Sequence, residues 1–239
     1  MLFLNLEWDS KFFQKKIGKI IFELGDDELA LRREIDLHQD LDLLYIFTPE
    51  NRMLSLPGLD QRCSLVDQKI DFAFLLKDDK GIRTGSDFGY SIEFYNGQYP
   101  IDDLIQLAFQ SGEFSRFNLD PNFSESDFHK LYKKWMEGSV DHTLADQVLV
   151  AVEGNKVLGM ITVQYSGSQA RIGLFSVFKE FRGNKIGFHL IQRVKEEAKS
   201  RGKDELFVAT QLQNELSCKF YVNNGFSKQN ISNIYHYWY

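Results

Sequence analysis

The sequence is poor in cysteine and has no long apolar run. Only Cys63 and Cys218 are present, and their separation suits neither a disulfide scaffold nor a zinc site. The N-terminal stretch meets acidic residues before any apolar segment of signal length, and no other run approaches the span of a bilayer. We therefore expect a soluble, cytoplasmic protein without a metal, a signal peptide or a membrane partner.

The basic surface that nucleic-acid binding needs is also missing. The 239 residues carry a formal net charge of -6, with 28 Lys and Arg residues against 34 Asp and Glu residues. A phosphate backbone is bound by concentrated positive charge, which an acidic chain of this composition does not supply. We expect no nucleic-acid partner. The hydrophobic fraction of 43% is enough for one large core or two small ones.

Turn-forming residues at 81–87 and 96–100 predict a domain boundary near residue 98. Before this boundary, apolar stretches at 17–22, 43–47 and 65–76 indicate a self-contained α/β part. After it, helical spacings and alternating runs predict the order helix, helix, three strands, helix, strand, helix, strand. The predicted domains are therefore 1–98 and 99–239.

One junction between a predicted strand and a predicted helix has the features of an anion-binding site. The first N–H groups of a helix lack partners within the helix and lie at the positive end of its dipole, so they bind phosphate groups without a metal. Here Arg182 and Lys185 add positive charge, while Gly183 and Gly187 allow close approach of the backbone. An ordinary solvated helix start is the alternative interpretation.

This loop and a downstream segment resemble the GCN5-related N-acetyltransferase (GNAT) superfamily. The loop reads RGNKIG at 182–187, against the family pattern Arg/Gln-x-x-Gly-x-Gly/Ala, so Lys185 stands where the family has glycine. The segment 214–226 is similar to the second family signature, with Asn214, a tyrosine seven residues later and a Gly-Phe ending. The resemblance implies an α+β GNAT fold over 101–239, with a mixed, mostly antiparallel twisted sheet flanked by helices, and acetyl-CoA as the co-substrate.

The chain also resembles one branch of this superfamily, the dTDP-fucosamine acetyltransferases of bacterial surface-polysaccharide synthesis. Short strings carry this resemblance in both predicted domains: residues 6–13, 65–70, 114–117, 170–174, 201–203, 208–211 and 235–239. The branch has a smaller GNAT-like subdomain before the catalytic domain. The resemblance implies acetylation of an amine on a nucleotide-linked sugar, and it leaves a homodimer open as the assembly.

The resemblance implies roles for individual residues. The backbone N–H of Val177 would stabilise the oxyanion, and Tyr221 would protonate the departing CoA sulfur. Reference pKa values of about 8.5 for a thiol and about 10 for a phenol make that proton transfer feasible. The expected contacts with acetyl-CoA are Phe175, Val177, Arg182, Gly183, Asn184, Lys185, Ile186, Gly187, Asn214 and Tyr221.

Three residues are candidates for contacts with the acceptor, and the general base is unassigned. Arg116 and Phe114, in the loop between the first two helices of the predicted domain, suit a nucleotide phosphate or base. His236 in the last strand is a further candidate, although a strand histidine is more often structural. The alternatives are a solvated loop arginine for Arg116, a helix cap for Asn214 and a core tyrosine for Tyr221.

Two other functions stay open from the sequence. The first is a GNAT enzyme that acts on another amine, such as an amino acid, a polyamine or a protein N-terminus. The second is an acyl-CoA-binding module without catalytic activity. The presence of Tyr221 together with the 182–187 loop argues against the second function.

Overall fold

The computed structural model describes residues 1–55, 61–78 and 88–239, which form two compact units. Unit 1 consists of Met1–Ile70, Thr210–Glu215 and Gln229–Tyr239, and unit 2 consists of Asp71–Ala209 and Leu216–Lys228. The turn predicted at 81–87 lies outside the described residues. The turn predicted at 96–100 is present and contains Gly97 in a left-handed conformation, with φ of 90°.

The compact units divide the chain differently from the predicted domains 1–98 and 99–239. Unit 1 includes the end of the chain because β10 (Ser227–Trp238) pairs with β3 (Leu43–Pro49). Unit 2 includes β5 (Ser91–Phe94) because this strand pairs with β6 (Gln147–Glu153). Pairing between distant parts of the sequence therefore decides the units, and a domain boundary near residue 98 stays a prediction.

Unit 1 is built on a mixed sheet with a helix-covered core. Strand β1 (Leu2–Asn5) pairs antiparallel with β2 (Ile17–Ile21), which pairs parallel with β3, and β3 pairs antiparallel with β10. The core comes from β2, β3, β10, the helix between β2 and β3, and the residues that follow β2 and precede β3: Ile20, Phe22, Leu31, Ile35, Leu41, Leu44, Ile46, Tyr235 and Tyr237. The strands predicted at 43–47 and 65–76 are confirmed as β3 and β4 (Cys63–Leu75).

Two helices of unit 1 are absent from the predicted elements: α1 (Glu7–Phe13) and α2 (Glu28–Leu37). Helix α2 has the sequence ELALRREIDL. Its charged side chains leave only a narrow apolar stripe, so the helical spacing of apolar residues is weak. Leu31 and Ile35, one turn apart, are its buried residues. The local start signal is nevertheless present, because the side chain of Asp27 accepts a hydrogen bond from the Leu29 N–H.

Unit 2 contains the strands and helices that the sequence predicts after residue 101, apart from the last strand, β10, most of which belongs to unit 1. The strands β7 (Lys156–Ser166), β8 (Gln169–Val177) and β9 (Glu205–Gln211) join β5 and β6 in the order β9-β8-β7-β6-β5. All neighbours are antiparallel except β8 and β9, which are parallel and joined by a helix. The helices are α3 (Ile101–Ser111), α4 (Arg116–Leu119), α5 (Glu125–Val140), α6 (Ile186–Ser200) and α7 (Glu215–Asn223).

The sheet of unit 2 is covered on both faces. Consecutive residues of β7 from Val157 to Val163 are buried, although their side chains alternate between the two faces. Helices α3 and α6 both pack against β7 and β8. The tight hairpin predicted between β6 and β7 is confirmed, with Gly154 at φ of 58° and Glu153 opposite Lys156.

The Gly-Phe ending of the second signature closes α7. The Phe226 N–H donates to the carbonyl of Tyr221 and the Gly225 N–H donates to the carbonyl of Val222, both at 3.0 Å. These two bonds form a Schellman motif, which requires a left-handed residue, and Gly225 has φ of 84°. The rings of Phe226 and Tyr221 pack at 5.6 Å, so the cap also fixes the turn of α7 that carries Tyr221.

Replacing Gly225 by alanine tests this cap. The left-handed φ disfavours a side chain, and a Cβ at this position would lie 3.1 Å from Cε2 of Phe74. We expect Gly225→Ala to lower the free energy of unfolding by about 1–2 kcal/mol in denaturant titration. The control is Gly25→Ala, which meets open space and an ordinary φ, and should change stability by less than about 0.5 kcal/mol. Equal effects in the two variants would contradict the cap's importance.

Candidate active site

Strand β8 changes its neighbours part of the way along its length. It pairs with β7 on one side, whereas its parallel pairing with β9 covers Gln169 to Ile172 and ends where Ile172 meets Val208. Near this point the register with β7 shifts, because two residues of β8, Gly173 and Leu174, lie opposite Thr162. The Thr162 hydroxyl accepts the Leu174 N–H at 2.8 Å. Such a bulge bends a strand and changes which residues face each neighbour.

The hydrogen-bond pattern after the bulge turns the Val177 N–H away from β7. The Phe178 N–H donates to the Leu158 carbonyl at 2.9 Å, so these two residues form a hydrogen-bonded pair. Antiparallel strands alternate between hydrogen-bonded and non-hydrogen-bonded pairs, so the adjacent pair, Gly159 and Val177, is non-hydrogen-bonded. The N–H and C=O groups of such a pair point away from the partner strand. Consistently, the Val177 carbonyl accepts a hydrogen bond from Arg182 Nε at 3.1 Å. The Val177 N–H therefore points to the side where the β9 pairing has ended.

The loop after β8 exposes the first N–H groups of α6. A single 3₁₀ turn, Lys179–Phe181, is followed by Gly183 at φ of 87° and Lys185 at φ of 59°. The His189 N–H donates to the Lys185 carbonyl at 3.0 Å and begins the hydrogen bonding of the helix. The N–H groups of residues 186–188 precede it and have no acceptor one turn earlier in the helix. This is the geometry that binds phosphate.

Lys185 adopts the conformation for which the family uses glycine. A residue with a Cβ in the left-handed region costs about 1–2 kcal/mol relative to its ordinary conformation. Glycine, the residue of the family pattern at this position, adopts the left-handed region without this cost. The Lys185 side chain is exposed beside the helix N-terminus, where it adds positive charge.

Arg182 makes two contacts within the protein. Its guanidinium bonds to the Val177 carbonyl and, through Nη2, to Gln110 Oε1 at 3.2 Å. The contact of Arg182 with a phosphate stays a prediction. Lys179 Nζ also bonds to Glu113 Oε1, at 3.2 Å. The bonds to Gln110 and Glu113 connect the loop to the last turn of α3 and to the residues that follow this helix. In this structure Arg182 therefore orients the loop.

The predicted residues Phe175, Gly187 and Tyr221 come together where β8, α6 and α7 meet. The Phe175 ring centroid lies 5.5 Å from that of Phe220 and 6.4 Å from that of Tyr221. A Cβ on Gly187 would lie 3.3 Å from Phe175 Cζ and 3.3 Å from Phe220 Cε2. The absence of a side chain at Gly187 therefore leaves room for two aromatic rings beside the start of α6. The sequence alone did not indicate this role of the glycine.

Tyr221 lies in an aromatic environment with little contact with water. Its side chain is 4% exposed, and its ring packs against Phe72 at 5.5 Å and Phe226 at 5.6 Å. Burial raises the pKa of the phenol well above its ordinary value, and the nearby Cys218 raises that pKa further. The hydroxyl is protonated at neutral pH, as an ordinary phenol with a pKa of about 10 also is.

Asn214 and His236 belong to unit 1. Asn214 directly precedes α7, the position of a helix cap. His236 is 0% exposed in β10, and its ring stacks on that of Tyr45 in β3, with the centroids 4.7 Å apart. This complete burial supports the structural interpretation of His236.

Arg116 and Phe114 lie between α3 and α5. The segment predicted as a loop contains the short helix α4, which begins at Arg116. The Arg116 guanidinium carbon lies 4.4 Å from the ring centroid of Phe117, and this phenylalanine is buried. Phe114 is half-buried. The cation is thus held on an aromatic surface.

Two residues at the 182–187 loop were missed by the sequence analysis: Tyr90 and His189. The Tyr90 hydroxyl lies 3.2 Å from the Asn184 carbonyl and 2.6 Å from His189 Nδ1. Burial lowers the pKa of His189, and the charge of Lys185 lowers it further. Tyr90 is 94 residues from Asn184 in sequence, so no local spacing indicates the contact. A cavity of about 330 Å³ lies beside this contact. It is lined by Phe88, Gly89, Tyr90, Glu153, Leu158, Phe181 and residues 183–186.

No metal centre is found in the part of the chain that the structure describes, since no three His, Cys, Asp or Glu side chains converge. Among the helices of the same residues, none combines the length and apolar character needed to cross a bilayer.

These features define a class of protein. A strand N–H that faces an open edge, a helix N-terminus suited to a pyrophosphate and a buried phenol are compatible with a CoA-dependent acyltransferase. Residues 102–226, more than half of the chain, match the family model described as "Acetyltransferase (GNAT) family". The chain belongs to this family and is an N-acetyltransferase with acetyl-CoA as its co-substrate.

Relatives with curated names are similar over large parts of the chain. The spore coat polysaccharide biosynthesis protein SpsD of Bacillus subtilis is 24% identical, over 100% of this chain and 83% of its own length. The dTDP-fucosamine acetyltransferase of Escherichia coli is 30% identical, over 68% of this chain and 66% of its own. A GCN5-related N-acetyltransferase structure from Sphaerobacter thermophilus aligns with a TM-score of 0.55 at 15% identity, covering 87% of this chain and 64% of its own, which supports the fold.

The backbone strain at Lys185 can be measured. We expect Lys185→Gly to raise the free energy of unfolding by about 0.5–1 kcal/mol, because glycine adopts the left-handed region readily and the gain exceeds its larger unfolded-state entropy. Lys185→Ala is the control, since it removes the cation and keeps the Cβ, and it should not stabilise the protein. Equal stabilisation by both variants in denaturant titration would instead attribute the effect to the lysine charge.

Proposed function

We propose that this N-acetyltransferase acetylates an amino group of a nucleotide-linked sugar, a dTDP-linked amino sugar used in bacterial surface-polysaccharide synthesis. The observation that carries the proposal is the extent of the similarity to the Bacillus subtilis spore coat polysaccharide protein. That similarity runs over the whole chain and includes the part outside the GNAT domain. The relative named dTDP-fucosamine acetyltransferase supports the same class of acceptor.

Acetyl-CoA would be held by the backbone of β8 and by the 182–187 loop. The N–H groups at the start of α6 and the side chain of Lys185 suit the pyrophosphate, because they combine unsatisfied donors with positive charge. Phe175 and Val177 would bind the pantetheine arm along the edge where the β9 pairing ends. Asn214 is proposed as a further contact, consistent with its place before α7.

The chemical step is direct attack of the neutral amine on the thioester carbonyl. The C–N bond forms as the Val177 N–H stabilises the negative charge on the carbonyl oxygen. The C–S bond then breaks, and the Tyr221 hydroxyl gives its proton to the leaving thiolate sulfur. The amine loses its extra proton to water, and water returns a proton to the Tyr221 phenolate. The phenol carries its proton at neutral pH, since burial raises the pKa of Tyr221 above an ordinary value that is already about 10.

The acceptor would lie against the segment between α3 and α5. Arg116 is positively charged and held over the Phe117 ring, a geometry that suits a phosphate or the face of a base. Half-buried Phe114 offers apolar contact nearby in the sequence. We therefore propose Arg116 and Phe114 as the contacts with the nucleotide part of the acceptor.

Tyr221→Phe tests the proposed proton donor. We expect kcat to fall about 100-fold, because the leaving thiolate loses its positioned acid, while the CoA dissociation constant changes by less than about threefold. The measurements are steady-state acetyl transfer and calorimetric CoA titration. Tyr132→Phe, which alters another buried tyrosine, should leave kcat within about twofold of wild type. An undiminished kcat in Tyr221→Phe would remove the residue from this role.

An acceptor screen tests the substrate class. Purified protein and acetyl-CoA are incubated with dTDP- and UDP-linked 3-amino and 4-amino sugars, and with an amino acid, a polyamine and a peptide with a free N-terminus. We expect CoA release and a mass increase of one acetyl group with a dTDP-linked amino sugar. Acetylation of the peptide or polyamine together with no reaction on any nucleotide sugar would contradict the proposal and favour another GNAT acceptor.

A further inference from the structure

Tyr90 connects the segment before β5 to the 182–187 loop. Its hydroxyl has one hydrogen, and the Asn184 carbonyl at 3.2 Å can only accept. The shorter contact, 2.6 Å to His189 Nδ1, is therefore satisfied when Nδ1 carries the imidazole proton and donates to the Tyr90 oxygen. The result is a chain of two hydrogen bonds from His189 through Tyr90 to the Asn184 carbonyl.

This chain fixes a peptide plane at the start of α6. The carbonyl of Asn184 and the N–H of Lys185 belong to one planar trans peptide, so they point in opposite directions. A carbonyl held by Tyr90 therefore turns the Lys185 N–H away from Tyr90. Asn184 is held a second time, because its side-chain Nδ2 donates to the Phe181 carbonyl at 3.2 Å.

These hydrogen bonds to Asn184 matter because Lys185 lacks the conformational freedom of glycine. Its φ of 59° is unfavourable for a residue with a Cβ, so contacts outside the loop must stabilise the turn. His189 is suited to this task, since it is one turn into α6 and 6% exposed, and its ring lies 3.8 Å from that of Phe88. The tyrosine and the histidine thus contact each other beside the turn, and the tyrosine contacts the turn itself.

We propose that Tyr90 and His189 are positioning residues that hold the 182–187 loop in its left-handed turn, so that the Lys185 N–H faces the pyrophosphate of acetyl-CoA. The proposal rests on acetyl-CoA as the donor and adds residues that lie outside both family signatures. It also gives a reason why this chain tolerates lysine at the position of the family glycine.

Tyr90→Phe tests the proposal, because it removes one hydroxyl and keeps the ring. The dissociation constant for CoA and the KM for acetyl-CoA should rise about three- to tenfold, while kcat stays within about twofold of wild type. Tyr95→Phe is the matched control. It removes a similar bond, from the Tyr95 hydroxyl to the Tyr99 carbonyl at 3.1 Å, and should leave both constants unchanged.

A thioester without a pyrophosphate separates positioning from general damage. With S-acetylpantetheine as the donor, Tyr90→Phe should retain the kcat/KM of wild type, because the loop then has no phosphate to bind. An equal loss with acetyl-CoA and S-acetylpantetheine would overturn the proposal. In the Lys185→Gly background, Tyr90→Phe should raise the CoA dissociation constant by less than about twofold, since glycine holds the turn unaided.

His189→Phe is the second variant, which removes Nδ1 and keeps an aromatic ring against Phe88. It should weaken CoA binding in the same direction as Tyr90→Phe. Wild-type CoA affinity in both variants would overturn the proposal and leave the acetyl-CoA function intact. A wild-type protein that binds no CoA in the same calorimetric titration would instead contradict the assigned donor.

Discussion

The backbone of β8 is the constraint on which the rest of the site depends. A strand in a sheet normally uses its N–H and C=O groups on both sides, but β8 pairs with β9 over four residues and then continues along β7. The bulge opposite Thr162 sets which residues face the open side, and the hydrogen bonds beyond it make Val177 one of them. Backbone N–H groups at this edge are held by the sheet, so the strand pairing fixes their direction.

The other parts of the site are arranged around the end of this strand. The loop that follows β8 places the N-terminus of α6 beside it, and Arg182 bonds back to the Val177 carbonyl. The absence of a side chain at Gly187 lets the Phe175 ring approach α6, and the same ring reaches the aromatic cluster around Tyr221. The Schellman cap at Gly225 ends α7 one turn after Tyr221 and so fixes the position of the phenol. The 182–187 loop, the end of β8 and the Tyr221 phenol are therefore linked through direct contacts.

Many elements of the fold follow from local patterns, and the exceptions have physical causes. The apolar runs of β6 and β7, the glycine between them and the spacing of apolar residues in α3, α5 and α6 are determined by short-range sequence, and they were predicted correctly. Helix α2 was missed because charged side chains surround its two buried residues. The grouping of β10 with β3 could not be predicted, because the pairing joins residues nearly 200 positions apart and leaves no local signal.

The candidate site divides in the same way. The sequence by itself determined the glycine and lysine pattern of the 182–187 loop, the position of Tyr221 and the Gly-Phe cap, because each depends on neighbours within one or two turns. Only the tertiary structure decided that Arg182 bonds to Gln110, that His236 is buried against Tyr45 and that Tyr90 reaches Asn184. These contacts join segments far apart in the chain, and side-chain pairing across such distances is set by packing, which a linear pattern does not encode.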